Sequence, residues 1–142
     1  MSETSVIAKW LYGILHGDGT LLGLATGGIW DTHAPQGVTG NVVVFQFQAG
    51  KDVLVVGAQR ISMDATYLVR AIGATNRYEA IMPIADRIDT LIHGVRSPLV
   101  VGGSTLGEVW CVRTQPFLLT EVDSGIEYRH AGGIYRVYAK SA

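Results

Sequence analysis

Val6, Ile7, Trp10, Leu11, Ile14 and Leu15 recur three and four residues apart, the period of a helix with one apolar face. Thr4 or Ser5 is placed to accept hydrogen bonds from the free N–H groups of its first turn. His16-Gly17-Asp18-Gly19 ends this helix, Thr20 to Ala25 forms a second short helical piece, and Gly27-Gly28 breaks it. The period then changes. Trp30 to Gly40 reads as an extended loop, and Asn41 to Gln48 as a strand. Val43, Phe45 and Phe47 share one face of that strand, and Val42, Val44, Gln46 and Gln48 the other. Polar residues enter only at its end, so the first half is expected to be covered on both faces.

Gly50-Lys51-Asp52 reads as a turn, Val53 to Val56 as a short strand or packed loop, and Ala65 to Gly73 as a second clear strand. Arg77 to His93 carries Ile81, Ile84, Ala85, Ile88, Leu91 and Ile92 at helical spacing. Asn76 is its expected N-cap, and Pro83 either moves its start toward Ile81 or kinks it. His93-Gly94 stops it. After Pro98 the pattern is β again: Leu106 to Gln115, Phe117 to Thr120 past a break at Pro116, and Ile134 to Ala139. In the last, Tyr135, Val137 and Ala139 face one way and Ile134, Arg136 and Tyr138 the other. Strands without a helix between each pair argue for a mainly antiparallel sheet packed by an N-terminal helix and a central helix, an α+β class.

A chain of 142 residues fits one domain, here 1–142, able to bury roughly two-thirds of its unfolded surface. Charged residues make up 16% and apolar residues 48%. About a quarter charged is usual, so a surface partly covered by partners is one expectation, and a compact, well-filled monomer the other. The net charge of −1 excludes an overall field that draws nucleic acid or anionic membrane. The single Cys111 sits in a strand-like context, where a buried inert thiol is expected. Lys9 interrupts the apolar N-terminal stretch, acidic Glu3 precedes it, and it has no basic n-region or small-residue cleavage pattern, so no targeting signal is read there and a cytoplasmic place of synthesis is expected.

Chemistry is mostly missing. No G-x-x-x-x-G-K-[ST] loop and no G-x-S-x-G elbow occurs, and the glycine pairs at 27–28, 102–103 and 132–133 lack the strand–turn–helix setting of a dinucleotide site. His16, His33, His93 and His130 stand at no metal-motif spacing. Blander roles suit them: His16 and His93 as cations at helix ends, His33 in a solvated loop, His130 in a turn or edge strand. Asp31-Thr32-His33 puts an acid and an imidazole on one side of an extended segment. The sequence predicts no catalytic residue, no metal and no cofactor. One rival reading is a small enzyme using Asp31, His33 and His130, which requires those side chains to converge in one pocket. Another is a ligand-binding domain with a sizeable apolar pocket.

Three segments together resemble a known family. IWDTHAPQGVTGNVVVFQFQ (29–48), RISMDATYLVRAIG (60–73) and YRHAGGIYRVY (128–138) are similar to the corresponding parts of the tail-terminator and tail-completion proteins of long-tailed bacteriophages. Gly40-Asn41 departs from the aromatic entry that the family has before its strand. The resemblance covers nearly the whole chain and implies an α+β structural subunit that forms a homo-hexameric ring in the virion. Such a ring caps the head-proximal end of the tail, stops polymerisation of the tube, touches the major tail tube protein and the head–tail connector or neck protein, and lets DNA pass through its lumen without specific binding. It is assembled in the host cytoplasm and involves no membrane. The alternative within the same junction is a neck or head-closure protein. On this reading Trp30 to Gly40 is a contact arm, with Trp30, Asp31, His33, Pro35, Gln36 and Val38 as interface residues, and an ordinary surface connection is the alternative. The second patch of a ring subunit is an exposed strand edge or the helix Arg77 to His93, and Ser104, Thr105 and Leu106, within the Gly/Ser/Thr-rich segment Gly102 to Gly107, are further interface candidates.

Overall fold

The structure, a computed structural model, describes residues 2–57, 60–101 and 103–141. One six-stranded sheet runs in the order β1-β2-β3-β6-β5-β4 and curls into a half-barrel. Its strands are β1 (Ile29–Asp31), β2 (Val42–Leu54), β3 (Arg60–Ala74), β4 (Val95–Val101), β5 (Ser104–Asp123) and β6 (Ile126–Ser141). Every neighbouring pair is antiparallel except β1 on β2, which is parallel. The expected α+β class and mainly antiparallel sheet are therefore present.

Helices α1 (Glu3–His16) and α3 (Met82–Ile92) pack on one face. Alternation decides which strand residues meet them. Val69 and Ala71 of β3, Val109 and Cys111 of β5, and Tyr135, Val137 and Ala139 of β6 join Ile7, Leu11, Ile84, Ile88 and Ile92 in one core. The residues between them, including Arg70, Ile72, His130, Arg136 and Tyr138, belong to the other face. Cys111 is fully buried, as expected. Helix α2 (Gly19–Leu24) buries Leu21 and is capped by Asp18, whose carboxylate accepts the Leu21 N–H at 2.9 Å.

Several boundaries differ from the sequence reading. Ser2, not Thr4 or Ser5, caps α1 by accepting the Ser5 N–H, because the helix begins at Glu3. Asn76 caps nothing: a 3₁₀ turn, Tyr78–Ala80, precedes α3, and Pro83 lies in the first turn of α3, where its missing N–H costs no helical bond. Strand β2 continues through the expected turn at Gly50-Lys51-Asp52, since those residues pair with Ala65, Asp64 and Met63; a bulge between Phe47 and Ala49 absorbs the irregularity. Pro98 lies inside β4, an edge strand, where a residue without an N–H is tolerated. Strand β5 passes Pro116 unbroken, its bulge falling between Arg113 and Gln115. Strand β6 begins at Ile126, eight residues before the expected Ile134. Ser124 (φ 52°) and Gly125 (φ 79°) turn the chain between β5 and β6 with the left-handed pair that matches strand twist.

Candidate functional site

The arm has fixed feet and an exposed middle. Gly27 N–H donates to the Asn41 carbonyl at 2.8 Å, Val43 N–H to Gly28 at 3.0 Å, and Thr32 N–H to Phe45 at 2.9 Å. The Trp30 indole donates to the Gly27 carbonyl at 2.8 Å. Only Ile29–Asp31 pair as a strand. Beyond them Thr32 takes a left-handed φ of 70°, and the His33 N–H turns back on the Asp31 carbonyl at 2.8 Å. Asp31, His33, Pro35 and Gln36 are exposed; Trp30 and Val38 are half-buried.

Ser104, Thr105 and Leu106 start β5, with Ser104 opposite Val101 and Thr105 opposite Val100. They form part of a paired hairpin arm and not a loop. Gly102, the first residue of that expected segment, lies outside the described residues. The fold does not bring the two candidate sets together. The arm springs from β1 at one edge of the sheet, beside the end where Val42, Ile72 and His130 align. Ser104 to Leu106 lie next to β4 at the other edge, beside the end where Gly107 meets Ser141. They occupy diagonally opposed corners.

A surface depression of about 530 Å³ opens beside the arm. Thr32, His33 and Ala34 form one wall, the β5–β6 hairpin contributes Glu121, Tyr128 and His130, and Val44 and Arg70 come from the sheet. His130 is 4% exposed, so it is a buried strand residue and not the turn or edge residue expected. Its Nε2 lies 2.7 Å from Glu121 Oε1, and its Nδ1 is buried without a partner among the described residues. The Arg70 guanidinium lies 5.9 Å from the centre of the Phe117 ring, and its Nε is likewise buried without a partner among those residues. Burial pushes the Arg70 pKa down, and the Glu121 carboxylate opposes that shift. The enzyme reading required Asp31, His33 and His130 to converge; His33 and His130 line this depression, and Asp31 does not.

A second depression of about 470 Å³ lies at the far end of the same face, with Trp110, Tyr138 and Ile61 beside Arg96 and Lys140. Both cations pair with Glu108. His16 stacks on Tyr12, ring centres 4.9 Å apart. His93 was expected as a cation at a helix end. It does stand at the C-terminal end of α3, and its Nδ1 accepts the Arg113 backbone N–H at 2.9 Å. Among the described residues, no three His, Cys, Asp or Glu side chains are grouped to hold a metal ion, and no helix is long and apolar enough to cross a membrane.

Sequence reasoning missed Arg70 and Glu121. A signal for Glu121 was present. Asp-Ser-Gly-Ile is a two-residue hairpin turn, and its register sets Glu121 opposite Tyr128, hence diagonal to His130 on one face. Arg70 gave none, because one charge inside ATYLVRAIG does not reveal whether it has a partner.

In comparison with known proteins, the chain is similar to a chain of the solved structure "Virion of native gene transfer agent (GTA) particle". The TM-score is 0.67 at 15% sequence identity, and the match covers 98% of both chains. At that identity the likeness is one of fold. No family model and no curated protein matches the chain.

Proposed function

We propose that this chain is a structural protein of a phage-like virion, a ring-forming subunit that caps the head-proximal end of a tail tube. The observation that carries the proposal is the fold match with a chain of the gene transfer agent virion, which covers 98% of both chains. The motifs at 29–48, 60–73 and 128–138 point the same way.

The geometry suits a ring. A cyclic assembly needs two different patches per subunit that face different neighbours. The arm and the Ser104–Leu106 corner are two such patches, separated across the whole sheet. Pro35 limits the freedom the arm loses on docking. In this role the subunit works by binding alone, with the tail tube protein on one side, the neck or connector protein on the other and DNA in the lumen. No catalytic step is required of any residue.

Light scattering on the purified protein, with and without tail tube protein, tests the proposal. The expected result is a hexamer of the 15.2 kDa subunit, or a monomer that joins the tube when the tube is present. A species that stays monomeric and ignores the tube would overturn the cap. If that species instead binds the portal complex, the subunit belongs on the head side of the junction.

A further inference from the structure

Seven of the chain's eight arginines stand within ion-pair distance of a carboxylate. Arg70 does not. It is also set into the sheet, between Val44 of β2 and Gly132 of β6 in the strand register, with only part of its surface in water. The ring of Phe117 lies alongside its guanidinium. Its Nε is buried and donates to nothing among the described residues. Glu121 is close by, but its Oε1 is held by His130 at 2.7 Å. A partly desolvated cation without a hydrogen-bonded counter-charge raises the free energy of the folded chain. A carboxylate docked on the guanidinium fork removes that penalty and makes two parallel, charge-assisted hydrogen bonds.

We infer that the depression between the arm and the β5–β6 hairpin receives the carboxylate of an aspartate or glutamate side chain from a protein partner, with Arg70 as the receptor. Three features select this class. The depression presents one unpaired guanidinium, so it suits one carboxylate. Val44 and Ile72 line it as well, which suits an acid carried on an apolar protein surface. Glu121 and Asp123 also line it; their charges act against any anion, and far more against a polyanionic nucleic-acid backbone than against one carboxylate held on the guanidinium. His33 of the arm forms a wall, so docking of the arm and pairing of Arg70 are one event. Arginines in pockets are frequent centres of binding energy in protein interfaces.

The inference holds for any protein partner and does not depend on the ring, so the solution mass and the following titration fail independently. N-acetyl-aspartate amide is added to the purified protein at low salt while the Arg70 Nε–H signal is followed by NMR. N-acetyl-asparagine amide serves as the neutral isostere and a short DNA duplex as the polyanion. The aspartate compound is expected to shift the signal saturably, and the asparagine compound to leave it unmoved. A shift of the His33 ring signals accompanies the first, and in Arg70→Met their response weakens at least about tenfold. Arg70→Met is expected to keep or raise its Tm, because it loses an unpaired charge. Equal shifts with both compounds, no shift with either, or a stronger response to DNA would overturn the inference. So would a fall in the Tm of Arg70→Met without any aspartate-specific shift in the unmodified protein, since Arg70 would then be a strut against Phe117. If Arg70→Met does not fold, the titration of the unmodified protein alone decides.

Discussion

Gly132 of β6 lies where the backbone of β3 leaves no room for a side chain. A Cβ there would lie 2.1 Å from the Val69 carbonyl oxygen and 2.6 Å from the Arg70 Cα, both backbone atoms of β3 that cannot swing aside. Gly132→Ala is expected to destabilise the fold by about 2–3 kcal/mol, read as a lower urea midpoint. The Gly-Gly pair gave a negative reading in the sequence, no phosphate loop, and its positive role needed the partner strand. Cys111 is the opposite case, since its strand context alone predicted an inert thiol. Burial pushes that thiol up to about 12, with the Asp89 carboxylate adding to the shift. Native protein should therefore label with a thiol reagent no faster than it unfolds, and rapid labelling in native buffer would contradict the buried placement.

Elements as short as α2 depend on their ties. Six residues do not hold a helix in water. Asp18 joins α2 to α3: it accepts the Leu21 N–H and receives the Arg87 guanidinium at 2.9 and 2.7 Å. The Arg87 hydrogen bonds first, then the Leu21 N–H, hold its carboxyl down at about 2 against an ordinary 3.8. The folded state thus favours the charged form. Its contribution is complete above pH 3.8 and is lost as the pH falls through about 2. Asp18→Asn should lower the Tm at neutral pH and lose the part of the acid sensitivity that falls in this window, as followed by circular dichroism. Helix α3 is held by burial instead. Ile88 is fully buried, and Ile88→Ala should cost about 2–5 kcal/mol in denaturant unfolding. The apolar face of α3 was legible from its spacing. Its start was not, because Pro83 is compatible both with a first turn and with a kink.

Across the whole molecule, the arm closes a short bridge whose supports lie mostly outside it. The Gly27–Asn41 and Gly28–Val43 bonds flank the segment His33 to Gly37. Removing that segment should leave the fold and its Tm nearly unchanged while abolishing assembly with tube protein, as measured by light scattering and by the yield of tail-joined particles. A normal yield would make the arm an ordinary connection. The candidate site was half legible at this scale. Trp30 to Val38 announced themselves as a long turn-rich loop before an apolar strand. Arg70, Glu121 and His130 are distant in the chain, and only the pairing of β2, β3, β6 and β5 sets them beside that loop.

The sequence by itself determined the periods: two amphipathic helices, a doubly covered strand start at Val42 to Phe45, and the split of Tyr135, Val137 and Ala139 from Arg136 and Tyr138. These follow from local geometry, because apolar spacing on a helix or strand fixes which face is buried. Tertiary structure alone decided how far each strand runs, since a strand extends as long as a neighbour offers hydrogen bonds, as β3 does to Lys51 and β6 does to Pro116. It also decided which charges are paired. Asp18 found Arg87 and Asp64 found Arg136, while Arg70 was left without a paired carboxylate among the described residues; ion pairing depends on distance in space, and the sequence holds no record of that distance.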